Sequence, residues 1–156
     1  MLNLRRQPDY VIGSLDRPYM ERWHILPRNT WFNIYLHKIS KSDDDRALHD
    51  HRADNLSIVL KGAYVEVIAP ESTSHKGTYR ITAALPIKRK RGSIIFRKAE
   101  QPHRLIVEDG QPVWTLWLKF GDRRDWGFYL YDTKTHTFRW MHWEAYEAKY
   151  GDHLFT

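Results

Sequence analysis

Leu48-His-Asp-His-Arg-Ala-Asp-Asn-Leu-Ser-Ile-Val-Leu-Lys-Gly62 is the stretch from which the fold is read. Its two histidines, His49 and His51, stand two residues apart, and in an extended chain that spacing turns both imidazoles to the same side. They are placed to bind one ion together. A third histidine, His103, lies in Arg91-Gly-Ser-Ile-Ile-Phe-Arg-Lys-Ala-Glu-Gln-Pro-His-Arg-Leu-Ile106, between two β-rich runs, where antiparallel pairing would bring it opposite the first two. Three imidazoles suit a divalent iron, zinc, manganese, nickel or copper ion and leave coordination positions open for water or substrate. With no cysteine in the chain, thiolate sites and disulfides are excluded, and only nitrogen and oxygen ligands remain.

Outward from this stretch the sequence reads as strands. Trp31–Ile39 alternates Phe32, Ile34 and Leu36 with Asn33, Tyr35 and His37, the two-residue period of a strand. Further strand-like runs are expected at Leu56–Leu60, Ala63–Ala69, Thr78–Ala84, Ser93–Arg97, Arg104–Glu108, Val113–Phe120 and Gly127–Tyr131, separated by Gly, Pro and Asp-Gly turn signals. Short strands at regular spacing imply an all-β sandwich or barrel. Residues 1–30 read as an N-terminal arm, with a short helical stretch at Pro18–Ile25 opened by its proline. Residues 31–156 read as one domain, ending in a helix over His142–Tyr150. The triple aspartate Asp43–Asp45 is expected in solvent, because adjacent carboxylates repel one another strongly in a low-dielectric core.

The chain's 156 residues fit one domain, and the 14% aromatic content favours a small, well-filled core. The N-terminus lacks the apolar run that export or membrane insertion needs, so a soluble, cytoplasmic protein with no membrane partner is expected. A formal charge of +6 would attract polyanions, yet the basic run Lys88–Arg91 has no nucleic-acid module around it. It reads as a solvated hairpin tip, and no nucleic-acid partner is expected.

Both histidine stretches resemble the two motifs of the cupin superfamily. In the first, His49 and His51 match the His-x-His pair and Gly62 the closing glycine, while Asn55 stands where the family has a glutamate and Asp43 where it has the leading glycine. In the second, Gly92 and His103 reproduce the outer spacing, while Lys98, Glu100 and Val107 replace the proline, second glycine and asparagine. The resemblance spans Trp31 to about Phe120. It implies a double-stranded β-helix, or jelly-roll, barrel holding one divalent ion (Fe, Zn, Mn or Ni) on His49, His51 and His103.

Asn55 offers a neutral amide in place of the family's carboxylate ligand. Asp54, beside it, is placed to supply the missing ligand or to orient a ligating imidazole from behind. Tyr35, His37, Tyr64 and Glu66 are the candidates for a pocket beside the ion, as proton donors or bases. Trp114 and Trp117 read as core packing. The aromatic residues from Trp126 to Trp143 are expected to pack the C-terminal helix or to form a homodimer contact. Three classes of function stay open: a metal-dependent enzyme on a small-molecule substrate, as in a three-histidine iron oxygenase; a sugar or sugar-nucleotide isomerase or epimerase; and a non-catalytic metal- or ligand-binding module.

Overall fold

The computed structural model of the chain describes residues 6–43, 47–69, 72–75, 78–81, 84–108 and 110–150. In chain order the strands are β1 (Tyr10–Gly13), β2 (Pro18–His24), β3 (Phe32–Ile39), β4 (Ala47–His49), β5 (Asn55–Lys61), β6 (Ala63–Ile68) and β7 (Ser72–His75). They continue with β8 (Thr78–Ile81), β9 (Leu85–Lys90), β10 (Ile94–Arg97), β11 (His103–Val107), β12 (Val113–Phe120), β13 (Gly127–Asp132) and β14 (Thr137–His142), and the helix α1 (Trp143–Tyr150) follows. The strands form two antiparallel sheets, a six-stranded one in the order β1-β2-β3-β12-β5-β10 and an eight-stranded one in the order β7-β8-β14-β13-β4-β11-β6-β9. This is the expected all-β jelly-roll barrel with its C-terminal helix.

The arm carries strands where a helix was expected. Pro18–His24 runs antiparallel to β3 in the register Met20↔Ile39, Arg22↔His37 and His24↔Tyr35, and β1 pairs with it in turn. Its period is two: Tyr19, Glu21 and Trp23 take one face and Met20, Arg22 and His24 the other. Proline at the first position of a strand breaks no ladder bond inside it. The strand expected at Thr78–Ala84 is described only over Thr78–Ile81, because positions 82 and 83 lie outside the described residues.

The chain changes sheet at two glycines. Gly62 (φ +81°) separates β5 from β6 and Gly92 (φ +89°) separates β9 from β10, in a left-handed conformation that other residues adopt at a cost. At Gly62 a Cβ would also lie 3.0 Å from the carbonyl oxygen of Pro112.

Read along their inward faces, the strands change from apolar to polar. Met20, Ile39, Val59, Tyr64, Ile95, Val107 and Val113 form one buried cluster that fills one end of the barrel. Two residues further along the same faces come Arg22, His37, Ser57, Glu66, Arg97 and Thr115, on β2, β3, β5, β6, β10 and β12 in turn. A second cluster packs α1 outside the eight-stranded sheet, with Phe128 stacked on Tyr146 at 4.0 Å and Trp126 on Trp143 at 6.0 Å. The late aromatic residues thus hold the helix, the first of their two expected roles. Among the described residues no helix is long and apolar enough to cross a membrane.

Between the two histidines of the opening stretch, Asp50 is fully buried. Its carboxylate accepts hydrogen bonds from the Gly127 backbone N–H (2.7 Å), Arg124 Nη1 (2.5 Å), the Tyr129 hydroxyl (3.0 Å) and Trp140 Nε1 (3.1 Å). This ties the end of β4 to β13 and β14. Replacing Asp50 by Ala leaves these donors facing a void, and the expected loss is about 3 kcal/mol, since unpaired buried donors each cost about 1–3 kcal/mol while the half-buried Arg124 rehydrates in part. Urea unfolding of Asp50→Ala against the parent chain measures it, and an unchanged midpoint would contradict the anchoring role.

Candidate metal centre

His49 closes β4, His51 follows it in the connection to β5, and His103 opens β11, where it pairs directly with His49. One ring nitrogen from each lies within 4.8 Å of the others. His51 Nε2 and His103 Nε2 are 2.8 Å apart. Two nitrogens bound at about 2.1 Å to one ion at right angles would be about 3 Å apart, so this pair, itself within hydrogen-bonding distance, is close to the separation a shared ion would set. The donor set is nitrogen only, and it fits a divalent transition-metal ion.

His103 and His51 are held toward the neutral form that ligates. Burial lowers the pKa of His103 to about 4, helped by Arg97 and His49 and opposed by Glu66. Burial likewise holds His51 well below the ordinary histidine value, with the neighbouring His103 and His49 adding to it.

Behind the histidines stand two carboxylates. His103 Nδ1 lies 3.0 Å from Glu66 Oε1, so the N–H on that nitrogen donates to the carboxylate and Nε2 faces the other imidazoles. Glu66 is fully buried and also accepts from Arg89 Nε at 2.8 Å and from Arg97 Nε, while Arg97 Nη2 donates to the Tyr64 hydroxyl at 3.2 Å. Burial works to raise the Glu66 pKa, but the His103 bond and the Arg97 charge outweigh it, leaving the group well below the carboxylate range. Asp43 Oδ2 lies 3.5 Å from His49 Nδ1 and accepts from the Leu105 backbone N–H at 2.5 Å, and the Tyr19 hydroxyl donates to Asp43 Oδ1.

Several expected placements change. Asp43 is buried in the barrel, with only 8% of its side chain exposed, because the Leu105 N–H and the Tyr19 hydroxyl replace its water. Asp44 and Asp45 lie outside the described residues. Arg89, within the run read as a solvated tip, turns inward onto Glu66, while Lys88, Lys90 and Arg91 face solvent. Strand alternation inside a charge run was the available signal.

Asp54 faces away from the histidines, accepting from the Ala99 N–H (2.7 Å) and Arg123 Nη2 (2.6 Å). Asn55 is fully buried, with its Oδ1 accepting from Trp117 Nε1 at 3.1 Å. Trp117 therefore lines the site, its ring 5.9 Å from that of His51, while Trp114 stacks on Trp23 at 5.5 Å. Tyr35 and His37, both buried, face the same space from β3, their rings 5.7 and 5.5 Å from Trp117. Tyr64 and Glu66 stand behind His103 rather than beside the open face.

No family model and no curated protein matches the sequence. Solved structures do match. The chain is similar to the polyketide cyclase RemF from Streptomyces resistomycificus, with a TM-score of 0.52 and 17% identity over 79% of this chain and 75% of that one. It is similar to the DMSP lyase DddQ from Ruegeria pomeroyi DSS-3, with a TM-score of 0.51 and 15% identity over 76% of this chain and 55% of that one. It is also similar to HppE in its Fe(II) form, with a TM-score of 0.52 and 13% identity over 74% of this chain and 58% of that one. The match thus takes in little more than half the length of the latter two chains, and likeness at these identities speaks for the fold.

The depressed histidines set a pH dependence. The unfolded chain takes up protons near pH 6.5, whereas folded His103 refuses its proton until about pH 4, and His51 and His37 shift the same way. Stability is therefore full above pH 6.5 and is lost as pH falls toward 4. The urea midpoint of metal-free protein should drop across that window, and a midpoint that holds steady through it would contradict the burial of neutral imidazoles.

Proposed function

Starting from the cupin fold that the chain has, we propose that it is a metal-dependent enzyme acting on a small molecule, with one divalent iron on His49, His51 and His103 and dioxygen as the second reactant. One observation carries this reading: ring nitrogens of three imidazoles converge on one another, and among the described residues no carboxylate joins them in that cluster. Asn55 is engaged by Trp117 and Asp54 by Arg123, so a divalent ion would be held by the three imidazoles with no charge neutralisation from either residue. When bound, the ion supplies Lewis acidity and the reducing electrons that oxygen chemistry needs. The Fe(II) form of HppE, on the same fold, supports iron in such a barrel.

The protein's own part is orientation and exclusion of water. Glu66 holds the His103 ring in one tautomer, and Asp43 stands behind His49 in the same relation. Trp117, Tyr35 and His37 form an aromatic wall on the opposite sheet that shields the reacting groups from solvent. Glu66 is unsuited as a proton-abstracting base, because two arginines and His103 keep it ionised and occupied. This weighs against an isomerase that would use it.

Anaerobic loading with Fe²⁺, followed by elemental analysis, should give one ion per chain, falling to background in His49→Ala/His51→Ala with the far-UV spectrum retained. Oxygen uptake with a small-molecule panel should need the loaded protein. Equal metal content in the double variant would remove the site, and turnover that proceeds without dioxygen would remove the oxygenase reading.

A further inference from the structure

We propose that Arg22 anchors a carboxylate of the small molecule that reaches the metal centre. The inference rests on the metal reading above for its location, and on the surroundings of Arg22 for its chemistry.

Arg22 lies on β2 directly opposite His37 of β3, on the inward face of the six-stranded sheet. Its Nε donates to His37 Nε2 at 2.9 Å, and its guanidinium carbon sits 4.9 Å above the Tyr35 ring and 5.9 Å from the Trp117 ring. The Trp117 ring in turn is 5.9 Å from His51. Arg22 is thus one aromatic ring away from the three histidines.

Among the described residues, every other guanidinium inside the barrel has an acid. Arg97 and Arg89 share Glu66, and outside the barrel Arg123 and Arg124 have Asp54, Glu100 and Asp50. Arg22 has none among the described residues, and its bonded neighbour His37 is neutral, with a pKa held well below the ordinary value by burial and by Arg22 itself. A half-buried guanidinium without an anion is costly, and the inward charge is unbalanced: Arg22, Arg89 and Arg97 face only Glu66 and Asp43. The two terminal nitrogens of Arg22 make no hydrogen bond to the described residues and are not among their buried, unbonded side-chain atoms, so they are not sealed in.

With Nε committed to His37, the free edge of Arg22 is the pair Nη1 and Nη2. Two parallel N–H donors on a plane match the two oxygens of a carboxylate. The Tyr35 and Trp117 rings hold the guanidinium by cation–π attraction at 4.9 and 5.9 Å, and they offer flat apolar walls to the carbon skeleton between the carboxylate and the metal.

The test uses propionate, its neutral isostere propionamide, and inorganic phosphate, titrated by calorimetry into the full chain loaded with redox-silent Zn²⁺ and into the metal-free chain. The expected result is that propionate binds and propionamide does not, in both forms, and that Arg22→Gln weakens propionate at least tenfold with zinc content unchanged. Arg22→Lys, which keeps the charge but not the fork, should weaken it to an intermediate degree, and it serves if Arg22→Gln does not fold. Propionate binding that survives in Arg22→Gln, or that requires the metal, overturns the proposal by placing the carboxylate on the ion. Phosphate binding tighter than propionate overturns the carboxylate assignment. Absence of zinc from a chain that still binds propionate through Arg22 would instead defeat the metal reading alone.

Discussion

The buried carboxylate of Asp50 decides where the two neighbouring histidines point. In an extended segment, alternate side chains project oppositely, so a residue fixed on one side fixes both its neighbours on the other. Asp50 is held by a backbone N–H, a guanidinium, a phenol and an indole on three separate segments, which leaves the local chain no freedom to rotate. The His-x-His pair is therefore aimed inward by a group that touches neither imidazole. The same four bonds bring β13 and β14 against β4, so the packing of the aromatic cluster under α1 and the geometry of the metal centre have a common origin.

A second constraint is electrostatic. Burying Glu66 without partners would expel its charge by protonating it, and a neutral Glu66 would accept from His103 Nδ1–H and the two arginines far more weakly. Arg97 and Arg89 keep it ionised, and that ionised oxygen sets the His103 tautomer. The chain of influence runs from β9 and β10, through β6, to β11. A basic residue at position 89 is thus part of the centre even though it lies in a run that looks like ordinary solvated surface.

Much of the barrel was legible in the sequence because strand period and turn glycines are local signals. Phe32–Ile39 announced itself by alternation, Val113–Phe120 by a β-rich apolar run between turn signals, and Gly62 and Gly92 by their place between strands. The three histidines were legible by spacing and by family resemblance. What escaped was determined by partners distant in the chain. Pro18–His24 is a strand because β3 offers it an edge, and its proline and charged residues hid the period. Asp43 is buried because Tyr19 and Leu105 come to it, and Asp54 is turned outward by Arg123, sixty-nine positions along.

The missed strand is also the one that changes the chemistry of the site. Without β2 the polar layer of the barrel would hold Glu66 and Asp43 against Arg97 and Arg89, a balanced set that calls for nothing beyond the metal. Adding β2 brings in one guanidinium with no acid among the described residues, lying near two aromatic rings and bonded to a neutral histidine. A strand edge filled only for stability would more cheaply carry a Val or Thr at that position, since an unpaired charge near a low-dielectric core costs folding energy. The position of Arg22 on the inward face therefore makes sense as part of a binding surface, with the arm completing the barrel wall that faces the histidines.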